Sequence, residues 1–136
     1  MSTLLLYADD DADDRLLFKE IIEEGDDGLH TLMFSSGYEL VNFLENYPRE
    51  TPQPCCIVID LNMPGWDGLE TLQVIRSNEK WAGIPIHIFS TSDNEHDLQK
   101  VMASGAQSFL SKPFNRQAML AVREKFQQCC LSGNCQ

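Results

Sequence analysis

The sequence predicts an α/β fold built on a doubly wound parallel sheet, and two observations lead to this fold class. Short apolar runs alternate with amphipathic stretches along all 136 residues, without a low-complexity linker or an internal repeat. Several runs, such as Ile57-Val58-Ile59, are continuously apolar, which is typical of strands covered on both faces. Alternating strands and helices with short links place parallel strands between two layers of helices. We therefore expect one compact domain with helices on both faces of its sheet.

The elements follow in order, separated by turn signals such as Gly25, Gly83 and Gly105. The predicted strands are residues 3–8, 30–35, 56–61, 84–90 and 107–112. The helical stretches carry apolar residues three or four positions apart, which is the spacing of one helical face. These stripes are Leu17 and Ile21; Leu40, Phe43 and Leu44; Leu69, Leu72 and Ile75; and Met119, Val122 and Phe126. The segment "NEHD" at 94–97 is interpreted as the polar start of the fourth helix.

Charge and hydropathy narrow the classes of function. Ten Lys and Arg against twenty-one Asp and Glu give a formal net charge of −11. Binding to nucleic-acid phosphates or anionic membrane surfaces depends mainly on Lys and Arg, so neither partner is expected. The start "MSTLLLYADDD" lacks the basic and long apolar regions of a signal peptide, and no apolar run has the length of a membrane span. We expect a cytoplasmic protein.

Five cysteines occur in two groups. Cys55 and Cys56 begin an apolar run and are expected to be small buried hydrophobic residues. Cys129, Cys130 and Cys135 lie in the last segment, "CCLSGNCQ", whose spacing does not match a zinc ribbon. We expect a frayed, reduced tail there, although a redox or metal contact of the tail remains an alternative.

Polar side chains stand where the predicted strands end. Asp9 and Asp10 end the first strand, and Asp60 ends the third. Ser90 ends the fourth strand and Lys112 ends the fifth. The carboxyl ends of parallel strands lie on one edge, where open α/β sheets bind their ligands. The sequence therefore predicts that carboxylates, a hydroxyl and an ammonium meet at one site.

These residue types suit phosphoryl transfer. Three carboxylates form an oxygen-rich pocket for Mg²⁺, and without a cation at least one of their pKa values should rise. Asp60 can attack a phosphoryl donor to give an acyl phosphate. Lys112 would neutralise charge on the transferring oxygens, and Ser90 would hydrogen-bond the attached group.

Two loops add local detail to this site. Pro64-Gly65 suits the centre of a type II turn, because glycine tolerates the positive φ, and the turn leaves the Asn62 carbonyl free to face a metal. Lys112 precedes Pro113, where a cis peptide is expected to aim the lysine side chain inward.

Four segments together resemble the receiver domain of two-component response regulators. They are "YADDDADD", "VIDLNMPGWDGLE", "FSTS" and "GAQSFLSKPF", in the family's order and spacing. The resemblance extends to about Gln128, which predicts a receiver domain over 1–128 and a short cysteine-containing tail over 129–136. It implies a flavodoxin-like (βα)5 domain with strand order 2-1-3-4-5.

The resemblance also implies roles at the metal end of the site. Asp60 matches the family's phosphoacceptor. Asp9 and Asp10 match its acidic pair, with Asp10 the direct Mg²⁺ ligand and Asp9 acting through water. Asn62 would give its backbone carbonyl to the metal, which makes Asp9, Asp10, Asp60 and Asn62 the expected metal set.

The resemblance also implies roles in the conformational switch and in the lifetime of the phosphorylated state. Ser90 matches the family's hydroxyl switch position and Lys112 its lysine, so Asp60, Lys112 and Ser90 form the expected catalytic set. Phe109 matches the aromatic residue whose rotamer follows phosphorylation. The side chains of Asn62 and Ser92 match positions that tune autodephosphorylation.

The implied function is that of a stand-alone response regulator in a phosphorelay, which catalyses only its own phosphotransfer and autodephosphorylation. The phosphoryl donor would be a phosphohistidine on a sensor histidine kinase or a histidine phosphotransfer protein. A downstream protein would read the face of the fourth helix, fifth strand and fifth helix. The sequence leaves homodimer formation open.

Several other polar and aromatic residues are expected to have structural roles or to lie outside the site. Asp11, Asp13 and Asp14 are expected to favour the first helix through its dipole rather than to bind metal. The histidines, His30, His87 and His96, are expected to be structural or exposed, because none has a metal-ligand spacing. Trp66 would lie at the rim of the site, and Trp81 would pack from a loop.

Two alternative functions stay open at this point. One is an aspartyl-nucleophile phosphohydrolase, resembling the haloacid dehalogenase family. That family puts its nucleophile on the first strand and a second Asp two residues later, whereas here Asp60 ends the third strand and Asn62 follows. The other alternative is a receiver-like adaptor that works without phosphorylation.

Overall fold

The computed structural model describes residues 3–25, 28–48, 50–133 and 135. Within them, five parallel strands form one sheet in the order β2-β1-β3-β4-β5. The strands are β1 (Leu4–Ala8), β2 (His30–Phe34), β3 (Cys56–Asp60), β4 (Ile86–Ser90) and β5 (Ser108–Ser111). Each lies inside its predicted range, and the predicted fold class and strand order are confirmed.

A helix follows each strand. The helices are α1 (Ala12–Ile22), α2 (Gly37–Glu45), α3 (Gly68–Arg76), α4 (Glu95–Ala103) and α5 (Arg116–Ser132), with a 3-10 turn at Glu79–Trp81 before β4. Polar N-cap side chains accept backbone N–H groups at the start of every one of these five helices, as Asp11 does for α1 and Asn94 for α4. None of the helices within the described residues is both long and apolar enough to cross a membrane.

Two hydrophobic clusters cover the two faces of the sheet. Successive strand residues point to opposite faces, so Leu6 and Ile57 belong to one cluster while Leu5 and Val58 belong to the other. The first cluster also contains core residues of α2, α3 and α4. The second contains those of α1 and α5. This two-sided burial explains why the strands are continuously apolar.

One glycine sets how closely α3 packs against β3. Gly68 donates its N–H to the Leu61 carbonyl at 2.9 Å. A Cβ at Gly68 would lie 2.6 Å from the Leu61 Cα and 2.7 Å from the Asp60 carbonyl oxygen. The start of α3 therefore rests directly on the backbone that carries Asp60.

The C-terminal segment differs from the sequence-based expectation. Helix α5 continues to Ser132, so Cys129 and Cys130 lie in it and are buried rather than frayed. Cys130 is disulfide-bonded to Cys55, and Cys129 to Cys135, so the prediction of a reduced tail is wrong. Cys56 is buried, as expected, and carries a free thiol, whereas Cys55 is only partly buried and disulfide-bonded, so the expectation for Cys55 is wrong. The fold brings Cys55 and Cys130 together across 75 residues of chain, which no local spacing could indicate.

Candidate functional site

Three carboxylates meet at the carboxyl edge of the sheet. Asp9 directly follows β1, Asp10 comes next, and Asp60 is the last residue of β3. One oxygen of each lies within 4.8 Å of the others. Asp9 and Asp60 are buried, whereas Asp10 is exposed. The structure therefore brings together the acidic residues that the sequence analysis singled out.

Lys112 lies at the centre of this acidic group. Its Nζ is 2.8 Å from Asp9 Oδ2, 2.8 Å from Asp14 Oδ2 and 3.2 Å from Asp60 Oδ2. Its backbone N–H donates to the Ser90 carbonyl at 2.8 Å, which fixes the start of the side chain beside the end of β4. One buried ammonium thus partly neutralises three carboxylates, which come from the loop after β1, from helix α1 and from strand β3.

Burial and charge set the protonation of the site. Burial raises the pKa of Asp60 to about 6; Lys112 lowers it in part, and the nearby Asp9 carboxylate raises it. Burial opposes the charge on Lys112, but its contacts with Asp14 and Asp9 outweigh that effect and raise the Lys112 pKa. The Asp60 pKa is raised in the predicted direction, but burial is the largest cause and the neighbouring Asp9 carboxylate a smaller one.

The raised Asp60 pKa predicts a pH dependence of stability. Between the folded pKa of about 6 and the ordinary value of 3.8, the folded state binds a proton that the unfolded chain does not, so this group stabilises the fold as pH falls. We therefore expect the unfolding free energy of wild type, minus that of Asp60→Asn, to increase from pH 7 to pH 4. Urea unfolding in a chelator measures it, and a difference that does not change with pH would contradict the assignment.

Asp9 is held by contacts that the sequence analysis missed. Tyr7 Oη donates to Asp9 Oδ2 at 2.6 Å, and the Asp11 backbone N–H donates to Asp9 Oδ1 at 2.9 Å. Arg15 Nη1 donates to the Asp9 carbonyl at 2.7 Å. Burial and the neighbouring Asp9 charge both raise the Tyr7 pKa, which keeps its phenol protonated as a donor. A buried tyrosine hydroxyl usually has a hydrogen-bond partner, so the tyrosine in this apolar strand was the sequence signal that could have indicated the contact.

Removing the Tyr7 hydroxyl should therefore cost stability. We expect Tyr7→Phe to lower the unfolding free energy by about 2 kcal/mol, because a buried hydrogen bond to a charged group is lost. Tyr38→Phe is the matched control, since Tyr38 is 65% exposed. Equal unfolding free energies for the two variants in urea titrations would refute the role given to the Tyr7 hydroxyl.

The acidic residues after Asp10 lie at the start of α1, as predicted. Asp11 caps α1, where its carboxylate accepts from the N–H groups of Asp13 and Asp14. Asp13 lies exposed in the first turn, as expected. Asp14 also lies in the first turn of α1, as expected, and its side chain additionally reaches Lys112, a contact that the sequence analysis missed.

The remaining predicted residues surround the same edge. Ser90 is buried at the end of β4, and its Oγ accepts from the Ser92 N–H at 3.0 Å. Phe109 is partly buried on β5, next to β4 in the sheet. Asn62 and Ser92 are exposed, and Asn62 Nδ2 donates to Thr91 Oγ1 at 3.3 Å. Of these residues, Asn62 is also in contact with the acidic group, since its backbone N–H donates to Asp60 Oδ1 at 3.4 Å.

The two loop predictions have different outcomes. Gly65 has a φ of +73°, in agreement with the type II turn predicted at Pro64-Gly65. The peptide between Lys112 and Pro113 is not cis, so that prediction is wrong. The trans form is the ordinary preference of such bonds, and ion pairs with Asp9 and Asp60 direct the Lys112 side chain inward without it.

Comparison with known proteins identifies the family. The sequence model of the response regulator receiver domain matches residues 5–124. The chain belongs to the response regulator receiver family. It is 30% identical over 114 residues to response regulator Rcp1 of Synechocystis, covering 82% of this chain and 77% of Rcp1. It is also 30% identical over 128 residues to an uncharacterised 14.6 kDa protein of Leptolyngbya boryana, covering 94% of this chain and 90% of that protein.

Solved structures of receivers share the fold of this chain. The phosphorylated cyanobacterial phytochrome response regulator RcpA superimposes with a TM-score of 0.84 at 23% identity, covering 96% of this receiver and 95% of RcpA. The Mn²⁺-bound form of Rcp1 superimposes with a TM-score of 0.78 at 24% identity, covering 92% and 91%. The receiver assignment therefore rests on both sequence and fold.

Proposed function

We propose that this receiver accepts a phosphoryl group on Asp60 in a Mg²⁺-dependent reaction and then changes its surface for a protein partner. The observation that carries the proposal is the buried Asp60 carboxylate, which lies 3.2 Å from Lys112 Nζ and beside Asp9 and Asp10 at the edge of the sheet. The donor is a phosphohistidine of a sensor histidine kinase or of a histidine phosphotransfer protein. The protein thus acts as a cytoplasmic signalling switch.

The transfer follows from the position of the Asp60 carboxylate. An Asp60 oxygen attacks the phosphorus, an O–P bond forms, and the P–N bond to the donor histidine breaks, leaving its electron pair on the imidazole. Lys112 is already at hydrogen-bond distance from Asp60 and neutralises charge on the phosphoryl oxygens. Ser90 supplies a hydroxyl to the attached group.

The acidic cluster fits a hard divalent cation. Carboxylate oxygens are the ligands that Mg²⁺ prefers, and three of them lie within 4.8 Å of one another on Asp9, Asp10 and Asp60. The backbone carbonyl of Asn62 completes the protein ligands that we propose. When bound, the ion supplies positive charge beside the phosphoryl oxygens. Exposed Asp10 would hold the ion directly, and buried Asp9, already bonded to Tyr7 and Lys112, would act through water.

The switch couples Ser90 to Phe109. Ser90 Oγ is engaged by the Ser92 N–H, and its movement toward a phosphoryl group on Asp60 would vacate space beside β4. Phe109 is only partly buried on the adjacent strand, so it can turn into that space. If phosphorylation favours the conformation with Phe109 turned inward by a few kcal/mol, most molecules adopt that conformation. The side chains of Asn62 and Ser92, which are both exposed, set how readily water removes the phosphoryl group.

The α4-β5-α5 face is the proposed output surface. Leu98 and Met102 on α4 and Leu120 on α5 are large apolar side chains that are 38–41% exposed. Such side chains favour contact with another protein. Because Phe109 lies on β5 between these helices, its rotation changes this face directly.

The experiment that tests the proposal is phosphorylation by a small donor. We expect incubation with Mg²⁺ and acetyl phosphate or phosphoramidate to add one phosphoryl group, a gain of about 80 Da in intact mass, as an acid-stable and base-labile acyl phosphate. A chelator should abolish the adduct, since the acidic cluster then lacks its cation.

Asp60→Asn is the matched control, because it removes the nucleophile and keeps the shape of the side chain. An adduct of equal yield on Asp60→Asn would overturn the assignment of Asp60. Mg²⁺ binding by wild type without any adduct, from either small donor or from histidine-phosphorylated phosphotransfer protein, would favour the phosphorylation-independent adaptor instead.

A further inference from the structure

A second cluster of chemically reactive side chains lies at the other end of the sheet. Cys56 is the first residue of β3 and Asp60 its last, which separates the two ends by about 13 Å along the strand. Around Cys56 lie Cys55, Cys129 and Cys130, and His87 of β4. None of these residues takes part in the proposed phosphoryl transfer.

The sulfur and nitrogen atoms of this cluster are close enough to share an ion. The Sγ atoms of Cys56 and Cys129 and one ring nitrogen of His87 all lie within 4.8 Å of one another. Cys56 Sγ is also 3.8 Å from Cys130 Sγ. Two thiolates bound to one tetrahedral Zn²⁺ at the usual bond length are about 3.8 Å apart. The Cys56–Cys130 separation already has that value.

His87 provides an independent indication of a ligand. Its side chain is completely buried, yet Nε2 has no hydrogen-bond partner among the described residues. The other nitrogen, Nδ1, lies 2.6 Å from Ser108 Oγ. A metal-binding histidine typically has one nitrogen held by a polar neighbour and the other free for the ion. Burial, with a smaller contribution from Lys125, lowers the His87 pKa to about 4, so the ring is neutral at pH 7.

An ion can reach the cluster from the surface. A surface cavity of about 310 Å³ is lined by Cys55, Cys129, Cys130 and Cys135, among other residues. An accessible path is one of the requirements of a metal site. Two of its lining residues, Cys129 and Cys130, also belong to the cluster around Cys56.

We propose that, once Cys129 is reduced, this end of the receiver binds a thiophilic divalent ion such as Zn²⁺ on Cys56, Cys129 and His87. Thiolate and imidazole ligands in a tetrahedral set favour Zn²⁺ over Mg²⁺, which separates this site from the carboxylate site. The Cys129–Cys135 disulfide is then the oxidised alternative of the same cluster.

Binding of the ion first requires a reductant that opens the Cys129–Cys135 disulfide. Two electrons convert the Cys129–Cys135 disulfide to two thiols. A cellular dithiol can supply them and becomes a disulfide. In the test tube a phosphine supplies them and becomes a phosphine oxide, taking its oxygen from water. The divalent ion then replaces the thiol protons of Cys56 and Cys129, which pass to the buffer. His87 gives its lone pair and loses no proton.

Cobalt(II) absorption tests this proposal directly. Full-length protein, reduced with a phosphine, is titrated with Co²⁺ in excess Mg²⁺, which occupies the carboxylate site. We expect one equivalent to give the intense thiolate-to-cobalt charge-transfer band that only sulfur ligands produce, and Zn²⁺ to displace it. Unreduced protein should give no band. Absence of the band in reduced wild type would overturn the proposal.

Cys129→Ser and Cys135→Ser form a matched pair, because each removes the same disulfide. Cys129→Ser should weaken Co²⁺ binding tenfold or more, on the order expected for a disrupted site, whereas Cys135→Ser should keep the band. His87→Gln should change the ligand-field bands and lower affinity. Circular dichroism and formation of the Asp60 adduct confirm that each variant is folded. Equal Co²⁺ affinities for the two cysteine variants would refute Cys129 as a ligand.

Discussion

Replacing Lys112 with methionine should lower the free energy of unfolding of the metal-free protein by about 4 kcal/mol at pH 7. The Nζ group is within hydrogen-bond distance of Asp9, Asp14 and Asp60, and two of these carboxylates are buried. Removing the cation leaves their charges without compensation in a dehydrated environment. Urea unfolding in a chelator measures the loss.

The same variant should respond to pH and to Mg²⁺ in a defined way. Protonation or a divalent cation compensates the carboxylates, so the deficit of Lys112→Met should shrink at pH 5 and in millimolar Mg²⁺. Lys100→Met is the control, because Lys100 is exposed on α4. Surface substitutions usually change stability by about 0.5 kcal/mol or less. A Lys112→Met deficit no larger than that of Lys100→Met would show that the ion pairs contribute nothing.

Gly68→Ala should destabilise the fold by about 3 kcal/mol or more, although it adds one methyl group. The new Cβ would lie 2.6 Å from the Leu61 Cα and 2.7 Å from the Asp60 carbonyl oxygen, and both are backbone atoms that cannot rotate away. Helix α3 must therefore move away from the end of β3. Because that backbone carries Asp60, we expect the yield of the phosphoryl adduct to fall as well.

Alanine substitutions at two other glycines serve as controls, because they show what a glycine-to-alanine change costs without this close contact. A Cβ on Gly83 meets nothing within 4 Å, so Gly83→Ala should be nearly neutral. Gly65 also has open space but a φ of +73°, so Gly65→Ala should cost about 1 kcal/mol of backbone strain. Thermal unfolding ranks the three variants. If Gly68→Ala were no less stable than Gly65→Ala, the close approach would not matter energetically.

The fold was predictable because its signals are local. Two-sided burial makes runs such as Ile57-Val58-Ile59 continuously apolar, and glycine-containing turns separate the elements. Strand ends then located Asp9, Asp60 and Lys112 on one edge, because the geometry of a parallel sheet leaves no other arrangement.

Contacts between remote residues were not predictable in the same way. Asp14 has the sequence features of a helix-start residue, and only the position of Lys112 in space shows that it belongs to the site. The pairing of Cys55 with Cys130 likewise depends on where the end of α5 packs. Tyr7 lay between these cases, since its burial was predictable and its partner Asp9 was not.

The position of Lys112 late in the chain has a consequence for folding. Asp9, Asp14 and Asp60 come from the first half, whereas their cation arrives just after the last strand. Docking of β5 onto β4 places the ammonium beside carboxylates that are carried by β3, by α1 and by the loop after β1. A chain arrested before that step holds mutually repelling acids at an open sheet edge. The charges of the site are therefore balanced only where β5 is in place on the sheet.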